Sequence, residues 1–279
     1  MNYQDNKPLI ENKKEKLLET EIIAHKEQKE KFLEAFSQFG RLQQPSVSEK
    51  GDELILEVKN LTVSFGEEKV VDNLSFNLKK GENIAIMGPN GAGKTVMLKA
   101  LLGILPYSGE VKWSEGAKIS YVPQKILPEK NLPLSVEEFF KMKKAGREQA
   151  KEALFSVGIT DDKFLKKMIG TISSGQLQRV LIAWGLIGNP NILLFDEPTA
   201  GIDIGGEETI FNLLNKIEKE RNLSIILVTH DMSVVYGFAD SVLCLNKKLI
   251  CYGSPEEALG SDGLNRLYGE GVTFYKHEH

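Results

Sequence analysis

Residues 83–95 read NIAIMGPNGAGKT, and this stretch decides the fold of the chain. Its first part, NIAIM (83–87), is an unbroken apolar run that stops at Gly88, which is typical of a β-strand buried on both faces. Its second part, GPNGAGKT (88–95), fits the phosphate-binding pattern G-x-x-x-x-G-K-[ST]. A helical pattern follows from Lys94 to Leu102. The sequence therefore predicts a loop between a buried strand and a helix, the context that this pattern requires.

The residue types of this loop suit the phosphates of a nucleotide. The glycines allow backbone N–H groups to turn inward around an anion, where larger side chains would obstruct them. The helix that begins at Lys94 directs its positive end at the phosphates, and the Lys94 side chain reaches the terminal ones. The Thr95 hydroxyl can ligate Mg²⁺. A chance glycine-rich turn is the alternative. The predicted nucleotide-binding residues are Gly88, Pro89, Asn90, Gly91, Ala92, Gly93, Lys94, Thr95 and Val96.

A second apolar strand pattern ends in two carboxylates. NILLFDEP (191–198) places Asp196 and Glu197 at the carboxyl end of a buried strand, where the ligands of α/β sheets collect. Asp196 suits a position in the shell of Mg²⁺, directly or through water, and Glu197 suits polarisation of an attacking water. Alone, this pattern is equally typical of an ordinary strand end. Together with the phosphate-binding loop, it indicates nucleotide hydrolysis.

Further segments resemble motifs of the ABC-type ATPases, in the same order and spacing. ISSGQLQR (172–179) resembles their signature LSGGQ, and YVPQ (121–124) resembles their Q-loop. TAGID (199–203) and LVTHD (227–231) resemble their D-loop and switch histidine. Phe65 matches their adenine-stacking aromatic residue. The resemblance covers about residues 53–260 and implies ATP and Mg²⁺ as cofactors.

The resemblance implies roles for single residues. Gln124 would join Thr95 and Asp196 around Mg²⁺ and couple this site to the helical block. Glu197 would activate the water, and His230 would hold the γ-phosphate and that water. A histidine satisfied at a strand end is the alternative for His230. With Lys94 these residues form the predicted catalytic set.

The resemblance also implies a head-to-tail homodimer or pseudo-dimer that clamps two ATP molecules. Each ATP would contact the loop of one chain and the signature residues of the other, with Asp203 in the D-loop. Ser173 and Gln176 have capping-box spacing, so a helix N-terminus there can present N–H groups to a phosphate. The predicted signature residues are Ser173, Ser174, Gly175 and Gln176. Ser174 and Val96 depart from the family pattern, and we expect these departures to affect the rate and the affinity more than the reaction itself.

The alternation of strands and helices predicts an α/β fold of the P-loop NTPase, ABC-type ATPase class. We expect a mostly parallel core sheet, an antiparallel β subdomain and an inserted helical subdomain at about 125–188. The ATPase domain would span 51–279, after an amphipathic helical extension and linker at 1–50. The apolar seam from Leu18 to Phe39 fits either a solvated helix lying on its own domain or a coiled-coil-like contact with another chain. In both cases we expect the extension to be dispensable for nucleotide binding.

Composition excludes several classes of protein. The chain of 279 residues is 41% hydrophobic with a net charge of -4, which excludes disorder throughout and makes nucleic acid an unlikely ligand. No apolar run approaches the ~18 residues of a membrane span, and the N-terminus shows no apolar signal core. We therefore expect a cytoplasmic chain, peripheral on the cytoplasmic face of the cell membrane. Cys244 and Cys251 fit no metal or redox spacing and are expected to be reduced and packed in strands.

These patterns favour the ATPase subunit of a transporter whose membrane permease is a separate chain. The segments 131–140, 242–259 and 267–279 resemble the ATPases of zinc and manganese importers, in which a solute-binding protein also takes part. The alternatives are an importer of another small solute and a soluble ABC ATPase that acts on nucleic acid or ribosomes. The segment LPEKNLPLSVEEFF (127–140) supplies apolar residues that fit an exposed groove for a permease helix, an ordinary helical core, or both. His277 and His279 suggest either a regulatory zinc site or a disordered tail.

Overall fold

A computed structural model of the chain describes residues 24, 26–34, 47–48, 54–124, 128–197 and 204–268. The strands, in chain order, are β1 (Val47–Ser48), β2 (Leu54–Phe65), β3 (Glu68–Lys79), β4 (Asn83–Met87), β5 (Ser108–Ser114), β6 (Ile119–Val122), β7 (Ile192–Asp196), β8 (Ser224–Val228), β9 (Ser241–Asn246) and β10 (Lys248–Gly253). The helices are α1 (26–34), α2 (Lys94–Leu101), α3 (Val136–Lys141), α4 (Arg147–Ser156), α5 (Ser174–Leu186), α6 (Ile204–Arg221), α7 (Met232–Phe238), α8 (Pro255–Ala258) and α9 (Ser261–Tyr268).

The larger sheet is mostly parallel, which confirms the predicted fold class. Its order is β10-β9-β4-β8-β7-β6. Among the described strands of this sheet, only β9 and β10 pair antiparallel. Every residue of β4, β7 and β8 is buried. Helices cover both faces of a parallel sheet, so its central strands expose neither side to water and are buried along their whole length. The carboxyl ends of the parallel strands therefore meet at one edge of the sheet.

The smaller sheet has the order β1-β5-β2-β3. β2 pairs antiparallel with both β3 and β5, as predicted for the β subdomain. The β2–β3 hairpin turns through Gly66, whose φ of 60° lies in the left-handed region that glycine adopts without strain. β1 pairs parallel with β5, so two residues of the predicted linker form an edge strand of this sheet.

The block between β6 and β7 is helical, as predicted, and contains α3, α4, α5 and two short 3₁₀ turns. A capping box at Ser135 and Glu138 starts α3. The Phe139 ring stacks on Trp184 of α5 with ring centroids 5.3 Å apart. Gly185 allows α5 to approach β6, because a Cβ there would lie 2.7 Å from a methyl group of Val122.

Of the alternatives for the apolar residues of 128–140, the structure favours a helical core over an exposed groove. Leu132, Leu134, Val136, Phe139 and Phe140 are all buried, each at most 3% exposed. Their side chains form the core of the helical block, because short helices with turns between them have little other apolar surface to bury.

The described part of the N-terminal extension lies on the helical block of its own chain. Phe32 of α1 is 7% exposed, and its ring centroid is 6.1 Å from that of Phe139. Lys29 forms an ion pair with Glu138 at 2.9 Å. The Ser135 backbone N–H, and then Lys29, hold the pKa of Glu138 at about 2. For α1 this favours the first alternative, a helix on its own domain, while the rest of the apolar seam lies outside the described residues.

The two cysteines lie in strands, as expected, but the expectation that they are reduced was wrong. Cys244 of β9 and Cys251 of β10 are direct cross-strand partners, and the structure joins them by a disulfide with 4.9 Å between their Cα atoms. The spacing of seven residues gave no sign of this, because the pairing depends on the tight turn between the two strands.

Candidate nucleotide-binding site

The predicted site residues follow the carboxyl ends of four adjacent strands, β4, β8, β7 and β6. Gly88 comes directly after β4, Gln124 follows β6, and Glu197 follows β7. Backbone bonds fix these ends together, since Thr229 N donates to Ile86 O at 3.2 Å and Glu197 N donates to Val228 O at 3.1 Å. The sheet therefore places segments that are distant in the sequence at one edge, which is where α/β proteins bind ligands.

The phosphate-binding loop depends on close backbone approaches. A Cβ on Gly88 would lie 2.0 Å from the carbonyl oxygen of Leu245, and a Cβ on Gly93 would lie 2.6 Å from that of Val70. Gly93 also has a φ of 97° and is the N-cap of α2. Because glycine carries no capping side chain, the amides of the first turn of α2 remain directed at a ligand.

Lys94 lies against its own loop. Its Nζ donates to Gly88 O at 2.8 Å and to Pro89 O at 3.0 Å. Burial lowers the pKa of Lys94, and the nearby carboxylates of Glu197 and Asp196 oppose that shift. A phosphate group would supply the negative charge that this buried ammonium lacks.

Asp196 lies at the base of the site and is only 2% exposed. Its Oδ2 accepts a hydrogen bond from the Tyr121 hydroxyl at 3.1 Å, and the side chain of Thr95 lies near enough to the carboxylate to lower its pKa. Burial raises the pKa of Asp196, while Thr95 and Tyr121 lower it. The structure therefore places Thr95 and Asp196, two of the three predicted Mg²⁺ ligands, near each other.

Gln124 and Glu197 are also in direct contact. Gln124 Nε2 donates to Glu197 Oε2 at 2.6 Å. Glu197 has a φ of 49°, a left-handed conformation that is uncommon for a residue other than glycine. Such a conformation persists where the surrounding structure imposes it, and it is concentrated at functional sites.

Lys94, Thr95, Gln124 and Glu197 open into one cavity of about 300 Å³, and Asp196 lies buried behind it. It is lined by Val70, Asn90, Gly91, Ala92, Gly93, Lys94, Thr95, Val96, Gln124 and Glu197. The cavity thus combines the phosphate-binding loop with the Gln124–Glu197 pair. The donor set, a carboxylate, a hydroxyl and an amide oxygen, fits Mg²⁺, which binds oxygen and takes its remaining ligands from water and phosphate.

Known proteins share this sequence over most of its length. Residues 71–200 match the family model described as ABC transporter. The zinc import ATP-binding protein ZnuC of Wigglesworthia glossinidia brevipalpis is 35% identical over 232 residues, which cover 81% of this chain and 100% of that protein. The chain belongs to the ABC transporter ATP-binding family. As an ABC ATPase it binds and hydrolyses ATP.

Other proteins are also similar to this ABC ATPase over most of its length. ZnuC of Pasteurella multocida is 36% identical, covering 81% of this chain and 87% of that protein. The solved structure of a metal-chelate type ABC transporter in an inward-facing conformation matches with a TM-score of 0.68 and 26% identity, covering 77% of this chain and 89% of that one. CbiO1 of Clostridium perfringens, part of the ABC transporter complex CbiONQ, matches with a TM-score of 0.63 and 29% identity, covering 77% and 94%.

Some predicted residues of the ABC ATPase lie apart from the cavity. The signature residues stand at the start of α5, where Ser173 is the N-cap and forms a capping box with Gln176. Phe65, at the end of β2, is 52% exposed, and His230 is exposed beyond β8. None of these described residues lines the cavity, and their roles stay predictions. Asp203 lies outside the described residues.

The sequence analysis missed two residues of the site. Val70 of β3 lines the cavity, and no motif marked it. Tyr121 was quoted only as part of the Q-loop, although it reaches Asp196. A signal for Tyr121 was present in the strand pattern, because a large polar-tipped side chain within a buried strand needs a hydrogen-bond partner.

Proposed function

We propose that this ABC ATPase drives a zinc importer whose membrane permease is a separate chain. The observation that carries the proposal is the match to zinc import ATP-binding proteins, which extends over 100% of one relative's length and 87% of another's. Those names favour a transporter over a soluble ABC ATPase that acts on nucleic acid or ribosomes. Among the described helices, none is both long and apolar enough to cross a membrane.

The catalytic steps follow from the contacts of the cavity. The first-turn amides of α2 hold the phosphates, and Lys94 turns from the carbonyls of Gly88 and Pro89 toward them. Mg²⁺, when bound, neutralises charge on the β- and γ-phosphates. Thr95 and Asp196, which lie near each other, would hold the ion, and Gln124 would be the third ligand.

Glu197 acts as the base that orients and polarises the attacking water. In this structure Gln124 Nε2 donates to the Glu197 carboxylate, and the Gln124 amide oxygen is the atom that would ligate Mg²⁺. His230 completes the site from the end of β8.

The active form is a head-to-tail homodimer or pseudo-dimer. Ser173 and Gln176 satisfy each other's backbone N–H groups in the capping box, and the remaining amides at the start of α5 can meet an ATP held by a second chain. Ser174 is exposed at this helix start and adds a hydroxyl where the family has glycine. Closure of the dimer would bring these groups to the phosphate loop of the second chain. This agrees with the finding that these described residues do not line the cavity of their own chain.

The permease would dock on the helical block, on the cytoplasmic face of the membrane, with a solute-binding protein beyond it. Within that block a cavity of about 280 Å³ is lined by apolar, polar and charged residues, and Phe155, one of these residues, is 69% exposed. Because 128–140 is buried core, we place the docking contact at Phe155 instead. A large exposed aromatic side chain next to a cavity is a common anchor for a partner.

Reconstitution tests the function. The ATPase would be co-purified with the permease encoded beside it, placed in proteoliposomes and assayed for uptake of zinc, manganese and iron chelates with ATP. We expect ATP-dependent uptake of zinc, absent with the Glu197→Gln enzyme. Transport of another solute with no zinc uptake would contradict the zinc assignment, and an ATPase that binds no permease would contradict the transporter.

A further inference from the structure

Tyr121 lies between the core sheet and the nucleotide site. Its side chain is 2% exposed, and its hydroxyl donates to Oδ2 of Asp196 at 3.1 Å. Asp196 is equally buried, so this bond joins two polar groups that have almost no access to water. Breaking such a bond leaves an uncompensated buried group, which is costly.

Strand register explains how Tyr121 reaches the carboxylate. β6 and β7 are parallel neighbours, and Tyr121 is the register partner of Leu194. Asp196 is two residues farther along β7 and therefore on the same face of the sheet as Leu194. A tyrosine is long enough to span this offset, whereas shorter side chains are not.

A second side chain approaches Asp196 from another element. The Thr95 side chain, on α2, lies near this carboxylate. Because Tyr121 and Thr95 belong to different elements, the hydrogen bond from Tyr121 sets how the carboxylate faces Thr95.

We propose that Tyr121 is a positioning residue for Mg²⁺: it holds one oxygen of Asp196 so that the carboxylate keeps its orientation toward Thr95. Tyr121 itself touches neither ATP nor the ion. The inference rests on the Mg²⁺–ATP site of the proposed function. It adds to the three ligands a buried residue that determines how well one of them is oriented.

The test compares Tyr121→Phe with Tyr252→Phe in the full chain. Phenylalanine fills the same space and removes only the hydroxyl. Tyr252 is a matched control, because its hydroxyl donates to Asn77 O at 2.9 Å from β10, at the opposite edge of the sheet from β6. Binding of a fluorescent ATP analogue is titrated in EDTA and against increasing MgCl₂, and melting temperatures are recorded.

In EDTA we expect all three proteins to bind the analogue within about two-fold of one another. The Mg²⁺ concentration for half-maximal enhancement should rise about tenfold in Tyr121→Phe and stay unchanged in Tyr252→Phe, as expected for a lost bond to a charged group. In an Asp196→Asn background, Tyr121→Phe should have no further effect on the Mg²⁺ response.

Three results would overturn the inference: an unchanged Mg²⁺ response in Tyr121→Phe, an equal loss of binding with and without Mg²⁺, or a variant that does not fold. The last two would make the hydroxyl part of the fold. A wild-type chain whose binding ignores Mg²⁺ would instead contradict the proposed Mg²⁺ site itself, so the two failures are distinguishable.

Discussion

Replacement of Glu197 by glutamine tests the catalytic assignment most directly. Glutamine keeps the size of the side chain, and its Oε1 can still accept the hydrogen bond from Gln124. The bond changes from charge-assisted to neutral, which weakens it by about 1 kcal/mol, so the resting structure should survive. Loss of a general base costs about 10²- to 10⁴-fold in rate, or about 3–5 kcal/mol of transition-state stabilisation.

The weakened hydrogen bond and the lost general base have different expected effects on ATP binding and on hydrolysis. The phosphate loop donates through amides and Lys94, so ATP affinity should stay within about three-fold while phosphate release falls by at least about 10²-fold. Removal of the Glu197 charge also removes one of the two carboxylates that oppose the lowered pKa of Lys94, and that pKa should fall further.

The assay measures phosphate release and nucleotide binding on the same purified protein, with dimer formation followed by size-exclusion chromatography in ATP. Unhydrolysed ATP should hold Glu197→Gln as a dimer. Glu220→Gln is the matched control, because Glu220 is exposed on α6 and pairs only with Lys216 among its described ion pairs. Near-normal turnover in Glu197→Gln would refute the assignment, as would an equal loss in the control.

Three further predictions concern other parts of the chain. Deletion of residues 1–45 should leave ATP affinity within about two-fold, since the described contacts of α1 are with the helical block; a truncated chain that folds but binds no ATP in equilibrium titration would place the extension in the catalytic domain. Gly93→Ala should abolish ATP binding in the same titration, because its Cβ would lie 2.6 Å from Val70 O, and retained affinity would contradict that geometry. The pKa of Glu138 is lowered from 4.5 to about 2, so its contribution to stability is complete above pH 4.5 and is lost as pH falls toward 2. Urea unfolding of Glu138→Gln should therefore show a weaker pH dependence in that window than wild type, and identical profiles would argue against the pKa shift.

The local parts of the site were predictable from the sequence. The run NIAIM, the glycine pattern after it and the acids after NILLF each lie within about a dozen consecutive residues, and each structure depends on neighbours in the chain. The capping boxes at Ser135 and Ser173 were predictable for the same reason, since they join residues three positions apart.

The pattern of polar and apolar residues did not predict the environment of a side chain where that environment depended on contact with another helix or strand. The sequence left open whether the apolar residues of 128–140 form a surface groove or a core, and the structure buries them, with α1 and α5 both contacting Phe139. The cysteine pair was missed similarly, because the β9–β10 register sets it. The sequence shows that a residue is apolar or reactive, but it does not show which other residues that side chain will contact.

The sequence by itself determined the buried strands, the phosphate loop and the order of the motifs, because these follow from backbone preferences and hydrophobic pattern over short distances. Only the tertiary structure decided that Gln124 binds Glu197 and that Tyr121 binds Asp196, across sequence separations of 73 and 75 residues. Strand order and register put these pairs within hydrogen-bonding distance, since parallel strands must align their carboxyl ends at one edge of the sheet.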